Sequence, residues 1–162
     1  MGEDNTKTGV IRLITERLTT DLELFYNAAK SAHRASIDEE TQPDNKYDTL
    51  ALEASYIAQG QANRAQEIRR AIETYKQLEL PDGNSSIRLA SLVVLESVTG
   101  ELRTVFVGPV EGGVRITTGM GDVTVVTPAS PLGNALIGKS VDDSVDFKMG
   151  GVTNSYRIVE IR

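Results

Sequence analysis

The chain has 162 residues, 40% of them hydrophobic, a formal charge of -6 and no cysteine, which allows one large domain or two small ones with ordinary cores. No run approaches the roughly 18 apolar residues of a membrane span, the start Met1-Gly2-Glu3-Asp4-Asn5 has neither the basic nor the apolar segment of a secretory signal, and without thiols there is no disulfide and no thiolate metal site. The acidic balance argues against sequence-independent grip on duplex nucleic acid, which needs surplus Lys and Arg to displace counterions, so the expectation is a cytoplasmic protein held together by packing alone.

The first residues, through about Thr8 and Gly9, are polar and expected to fray. From Val10 the apolar residues Ile11, Ile14, Leu18, Leu22, Phe25, Ala29 and Ala32 recur three and four apart, one face of a helix. A second segment repeats the pattern with Leu50, Ala54, Ile57, Ala65, Ile68, Ile72 and Tyr75, interrupted by Gln61. Laid antiparallel, the stripes stay in register from Ile11 opposite Tyr75, through Leu18 opposite Ile68, to Ala29 opposite Ile57 and Ala32 opposite Ala54. Two unrelated helices would have no reason to match in this way, so residues 1–80 are read as an antiparallel helical hairpin, a coiled coil. With about 30 residues per arm at a rise of 1.5 Å, it would be about 45 Å long, more than the packing of a small domain requires. Its tip is therefore the first place to look for function.

Toward that tip the seam changes to Ala29, Ala32, Ala54 and Ala58, small residues that let two backbones approach and keep the rod thin. Gly60, inside the second arm, costs about 1 kcal/mol relative to Ala, with no reason in the sequence beyond a bend. The tip itself carries Asp38, Glu39, Glu40, Asp44 and Asp48 against Lys46 alone, a local balance of -4 that equals the balance of all residues 1–80. On a helix beginning near residue 44, Asp44 and Asp48 lie one turn apart on one side, and two carboxylates suit magnesium, a hard ion that takes few protein oxygens and keeps most of its waters. The plainer reading is that Thr41-Gln42-Pro43-Asp44 forms a capping box, with Asp44 satisfying free amides. Lys30, Arg34 and Arg64 lie on the arms near the tip, where they either meet RNA or acidic groups of a partner or only solubilise the helices. His33 is the single histidine and reads as a helix-surface residue, since no second ligand accompanies it.

Leu80-Pro81-Asp82-Gly83-Asn84-Ser85 is a cluster of breakers that ends the second helix and sets the domain boundary. Beyond it the period changes to two. Strands are expected over 87–98, 103–107, 114–117, 123–126, 145–149 and 152–161, with Gly119-Met120-Gly121-Asp122 as a hairpin turn. One short helix interrupts them, with Ser130 as its cap, Pro131 in its first turn, Leu132, Ala135 and Leu136 inward and Gly138 at its end. The fold class is therefore α+β: a helical hairpin, then over 81–162 an antiparallel sheet of five or six strands with one helix against it.

The run Thr127-Pro128-Ala129-Ser130-Pro131-Leu132-Gly133-Asn134-Ala135-Leu136-Ile137-Gly138-Lys139, followed by Val141-Asp142-Asp143-Ser144-Val145, Gly150-Gly151-Val152 and Tyr156-Arg157-Ile158-Val159-Glu160-Ile161, resembles the carboxy-terminal domain of the Gre transcription elongation factors, as does Thr104-Val105-Phe106-Val107-Gly108-Pro109 upstream. The resemblance implies an FKBP-like domain that docks on bacterial RNA polymerase, with Ser130, Pro131, Leu132 and Gly133 as the docking residues. It implies a coiled coil that enters the polymerase secondary channel, with nascent RNA near its tip. It implies no enzyme activity of its own, no permanently bound cofactor, no membrane, no small-molecule substrate, and a magnesium ion shared with the polymerase. In the family a tip of the form Asp-Leu-Ser-Glu-Asn supplies two carboxylates that stimulate cleavage of backtracked RNA. Here Asp44-Asn45 lies on Glu-Asn, but the position three earlier is Thr41, so the first carboxylate would come from Glu40, Glu39 or Asp38, or from Asp48 a turn later. That departure leaves open an inhibitor that plugs the channel without stimulating cleavage. From another class, an FKBP-like domain admits a peptidyl-prolyl isomerase or chaperone, although Phe106, Phe147 and Tyr156 are the only aromatics after Tyr75. A plain coiled-coil interaction module explains the stripes but neither the acids at the tip nor the second domain.

Overall fold

A computed structural model describes residues 6–40, 46–83 and 85–162, without the side chains of 38–40 and 46–50. The order of elements is α1 (Lys7–Glu40), α2 (Lys46–Lys76), β1 (Leu92–Ser97), β2 (Leu102–Val107), β3 (Arg115–Thr118), β4 (Gly121–Val126), α3 (Pro131–Leu136), β5 (Ser144–Met149) and β6 (Val152–Ile161). Contacts divide the chain into two compact units, one of Met1–Thr15 with Thr74–Arg162 and one of Glu16–Glu73. The unit that carries the sheet therefore also takes in the start of α1 and the end of α2, whereas the sequence reading divides the chain at residue 80.

In the helical unit Leu18, Ala51, Ala65, Ile68, Ala71 and Ile72 are buried. Ala51, Ala54, Ala58, Gln61, Ala65, Ile68 and Ile72 keep a strict alternation of three and four, and each is buried or half-buried. Ile57, placed on the seam by its hydrophobicity, is 56% exposed. It stands about 100° around the helix from Ala58, and spacing outranks residue size. The expected facing of Ala29 with Ile57 gives way to Ala29 and Ala58 lining one groove. The Arg64 guanidinium, 6.0 Å from the centre of the Phe25 ring, ties α2 to α1. Gly60 is exposed, and nothing stands within 4 Å of where a Cβ would lie, so no packing contact requires it.

In the sheet unit α1 begins three residues before Val10, because the Thr6 hydroxyl accepts a hydrogen bond from the Gly9 amide at 3.0 Å and caps the helix. Gly9 and Val10 are buried rather than frayed. Six strands form one sheet in the order β3-β4-β2-β1-β6-β5. All neighbours are antiparallel, as expected, except β2 and β4, which run parallel with Phe106 beside Val125. The chain leaves β2 through residues 108–114, forms the outer strand β3 and returns as β4. That places apolar Val123, Val125 and Val126 inside the sheet and leaves four-residue β3, with exposed Arg115 and Thr117, on the edge, where polar side chains are tolerated. Residues 87–91 are not strand: Ile87 exchanges hydrogen bonds with Lys139 and Gly138 beyond α3, and Ala90 adopts φ 70° in a turn closed between Arg88 and Ser91.

One sheet face holds a continuous core of Val93, Leu95, Val105, Val107, Val126, Val145, Phe147 and Ile158 with Leu132 and Leu136 of α3. The other face is also buried over part of its width. Leu92, Phe106 and Val125 stand in register across three strands, and all are at most 1% exposed. Tyr75, from the end of α2, lies with Val125 against Gly108.

Candidate functional site

The tip is the first candidate. Asp44 lies outside the described residues, as does Thr41. Asp38, Glu39 and Glu40 fall in the last turn of α1 and Asp48 is the third residue of α2, while the side chains of these four lie outside what is described. Their positions on the helices still sort them electrostatically. A carboxylate in the first turn of a helix opposes the partial positive charge of free amides, and one in the last turn meets the partial negative charge of free carbonyls. Asp48 is therefore where helix stability favours an acid. Asp38, Glu39 and Glu40 are where it disfavours one, and no basic residue shares that last turn. A place in the first turn of a helix accounts for Asp48 but not for these three. Among the described residues no three carboxylate or imidazole side chains converge as a metal site would require.

The arm residues separate on inspection. Arg64 is engaged structurally, paired with Glu67 at 3.1 Å as well as covering Phe25. Arg34 is exposed. Lys30 is exposed and lies with its ammonium 5.7 Å from the centre of the Tyr26 ring. Lys30 also borders a groove of about 600 Å³ between the helices, with Tyr26 and His33 on the α1 side, Gln59, Gln66 and Arg69 on the α2 side, and Ala29, Ala58 and Ala62 among its lining. Sequence reading singled out Lys30 and passed over Tyr26 and Arg69. Their signal was helical spacing, since Tyr26, Lys30 and His33 share one face.

In the sheet unit the four expected docking residues take different parts. The Ser130 hydroxyl accepts from the Gly133 amide at 3.1 Å and donates to the Thr127 carbonyl at 2.7 Å, capping α3 as expected. Leu132 belongs to the core. Gly133 is buried against the Thr127 carbonyl, so closely that any Cβ would collide with it. Only Pro131 is exposed, together with Pro128 and Ala129. Pro131 and Ala129 border a shallow groove of about 460 Å³ with Gly112, Gly113, Arg103 and Met149. No aromatic side chain lines it. Proline-peptide pockets are commonly lined by aromatic side chains, so an isomerase finds little support here.

Tyr75 joins α2 to the sheet. Its hydroxyl donates to the Val110 carbonyl at 2.6 Å, and it lies over Gly108, where any side chain would collide with it. Burial, reinforced by the negative charge of nearby Glu111, holds the phenol above its ordinary value. At the start of α1, burial and nearby Arg88 lower the Lys7 ammonium, while Asp82 acts in the opposite sense.

A family model described as "Transcription elongation factor, GreA/GreB, C-term" matches residues 82–162, half of the chain. Among solved structures, the chain is similar to GreA factor homolog 1 (Gfh1) of Thermus thermophilus, at 27% identity over 91% of this chain and 94% of that one, with a TM-score of 0.40. Thermus aquaticus Gfh1 is similar at 27% identity, 90% and 92% coverage and a TM-score of 0.41. A prokaryotic transcription elongation factor GreA/GreB from Nitrosomonas europaea is similar at 22% identity, 80% and 90% coverage and a TM-score of 0.37. No curated protein matches the chain.

Proposed function

The chain belongs to the GreA/GreB family of transcription elongation factors, and from that premise we propose that it binds bacterial RNA polymerase and regulates paused or backtracked complexes by carrying its acidic tip through the secondary channel. It acts in the cytoplasm and is a regulator rather than an enzyme. No helix among its described residues is long and apolar enough to cross a membrane. The sheet unit docks through exposed Pro131 with Pro128 and Ala129, and the tip meets the polymerase active centre near the nascent RNA.

The observation that carries this reading is the placement of Asp38, Glu39 and Glu40 in the last turn of α1, a helix of 34 residues. Acids at that end work against the helix dipole, so a role outside the helix explains them better than a role within it. The donor set is of hard oxygens, with no cysteine in the chain, and it suits magnesium. Asp44 and Asp48, with Glu40, Glu39 or Asp38 as the remaining acid, would hold such an ion together with the polymerase, and the charge it would supply there is the kind that offsets a phosphate's. Thr41, standing where the family tip has an acid, favours a second reading: a hairpin that occupies the channel without full cleavage stimulation.

Stalled elongation complexes test both readings. Asp44→Ala is expected to abolish the effect on backtracked polymerase while leaving polymerase binding intact. Activity equal to the parent protein would show that the tip acid has no such role. If the parent protein slows elongation and no shortened transcript is released, the plugging reading holds.

A further inference from the structure

The groove between the arms is not explained by hairpin packing, because a coiled-coil seam closes on itself whereas this groove is open and bordered by charge. Its borders are of one sign. Lys30 and Arg69 flank it with His33 between helix turns, no acid lines it, and among the described residues neither Lys30 nor Arg69 has a carboxylate partner. This is notable in a chain of net charge -6. The α2 side runs from Ser55 to Arg69, so the groove is about 20 Å long. Between the charged borders the lining is Ala29, Ala58, Ala62 and Ala65 with polar Ser55, Gln59 and Gln66, a floor of mostly small side chains.

We propose that this groove is a docking surface for an acidic amphipathic α-helix of the RNA polymerase, an inference that rests on the polymerase-binding reading above. A third helix laid in the groove between two others packs its ridge of side chains onto the alanine floor. The length fits about four turns of such a helix. Carboxylates on its flanks would reach Lys30 on one side and Arg69 on the other, neither of which has a carboxylate partner among the described residues. Single-stranded RNA fits less well. It needs a series of aromatic faces on which successive bases stack, and the groove offers only Tyr26, already partnered by Lys30, and the smaller ring of His33. Charge complementarity of this kind fixes register and orientation and raises the rate of encounter.

Site-specific photo-crosslinking in the full-length protein bound to purified core polymerase and to RNA-containing elongation complexes tests the proposal. A benzophenone side chain replaces Gln59 in the groove, and in a separate protein replaces Pro128 on the sheet unit. The groove probe is expected to capture a polymerase polypeptide, and the captured segment is helical with acids spaced three or four apart. The double variant Lys30→Glu with Arg69→Glu is expected to lower that yield by about tenfold or more, with the Pro128 crosslink retained. Capture of RNA, capture of a neutral or basic segment, an unchanged yield in the double variant, or no groove crosslink beside a strong Pro128 crosslink would each overturn the docked helix while leaving polymerase binding in place. Failure of the parent protein to bind core polymerase at all would instead remove the premise, and the docking inference with it.

Discussion

Tyr75 shows how much one side chain can decide and how little of that is visible in a sequence. Its place in the apolar stripe was legible from spacing, and it is 1% exposed. Its hydroxyl was not legible, because the acceptor Val110 lies 35 residues away, across a loop that no periodicity describes. Gly108 carries the complementary signal. A glycine between Val107 and Pro109 reads as a turn residue, yet its role is to leave room for the tyrosine ring. Removing only the hydroxyl, in Tyr75→Phe, is expected to lower the unfolding free energy at pH 7 by about 1 kcal/mol, measured by urea titration. The pH dependence follows from the raised phenol. The unfolded chain ionises near the ordinary value of 10.0 while the folded chain still holds its proton. The stabilisation is therefore complete below that pH and declines as pH rises past it toward the folded value. Tyr75→Phe should lack this part of the alkaline decline, so parent and variant curves converge above pH 10. Parallel curves would mean that the ring, not its hydroxyl, accounts for the contribution.

At the scale of elements, the strands at 145–149 and 152–161 and the short helix after Ser130 were legible within a residue or two, because alternation and capping chemistry are local signals. The parallel pairing of β2 with β4 was not legible. It depends on which of two short strands is the more apolar and so lies inside the sheet, a comparison across the whole sheet rather than a pattern within either strand. The slip at Ile57 has the same origin, since an isoleucine attracted a seam position that the strict alternation through Ala58 assigns to its neighbour. Helix ends supply a prediction of their own. Glu39→Gln with Glu40→Gln removes two charges from the carbonyl end of α1 and is expected to stabilise the hairpin by about 0.3 to 1 kcal/mol per charge at low salt. Asp48→Asn, near the amide end of α2, is expected to destabilise it by a similar amount. Thermal unfolding in low salt and again in about 1 M salt, where the Debye length is about 3 Å, checks both signs and their disappearance. If Glu39→Gln with Glu40→Gln is destabilising, those acids are held by partners at the tip and the dipole is not what they oppose.

For the molecule as a whole, the family match begins at residue 82, but the compact unit containing the sheet begins elsewhere, with residues up to Thr15 and from Thr74 onward included. The difference has a physical source. A sequence pattern follows strands and their turns, whereas Leu92, Phe106 and Val125 need something over the second face of the sheet, and Tyr75, from outside the matched region, lies beside Val125 at Gly108. A fragment of residues 82–162 is therefore expected to keep the core beneath α3 and to expose an apolar patch where Phe106 lies, a surface that small soluble domains do not leave open. Such a fragment should bind a hydrophobic dye and show faster amide exchange at Phe106 and Val125 than the full chain, by about tenfold or more, equivalent to about 1.4 kcal/mol of lost local stability. A fragment that includes residues 74–81 should recover part of that protection through Tyr75. Equal exchange in the fragment and the full chain would show that the matched region folds as a complete unit and that the helix ends add nothing to it.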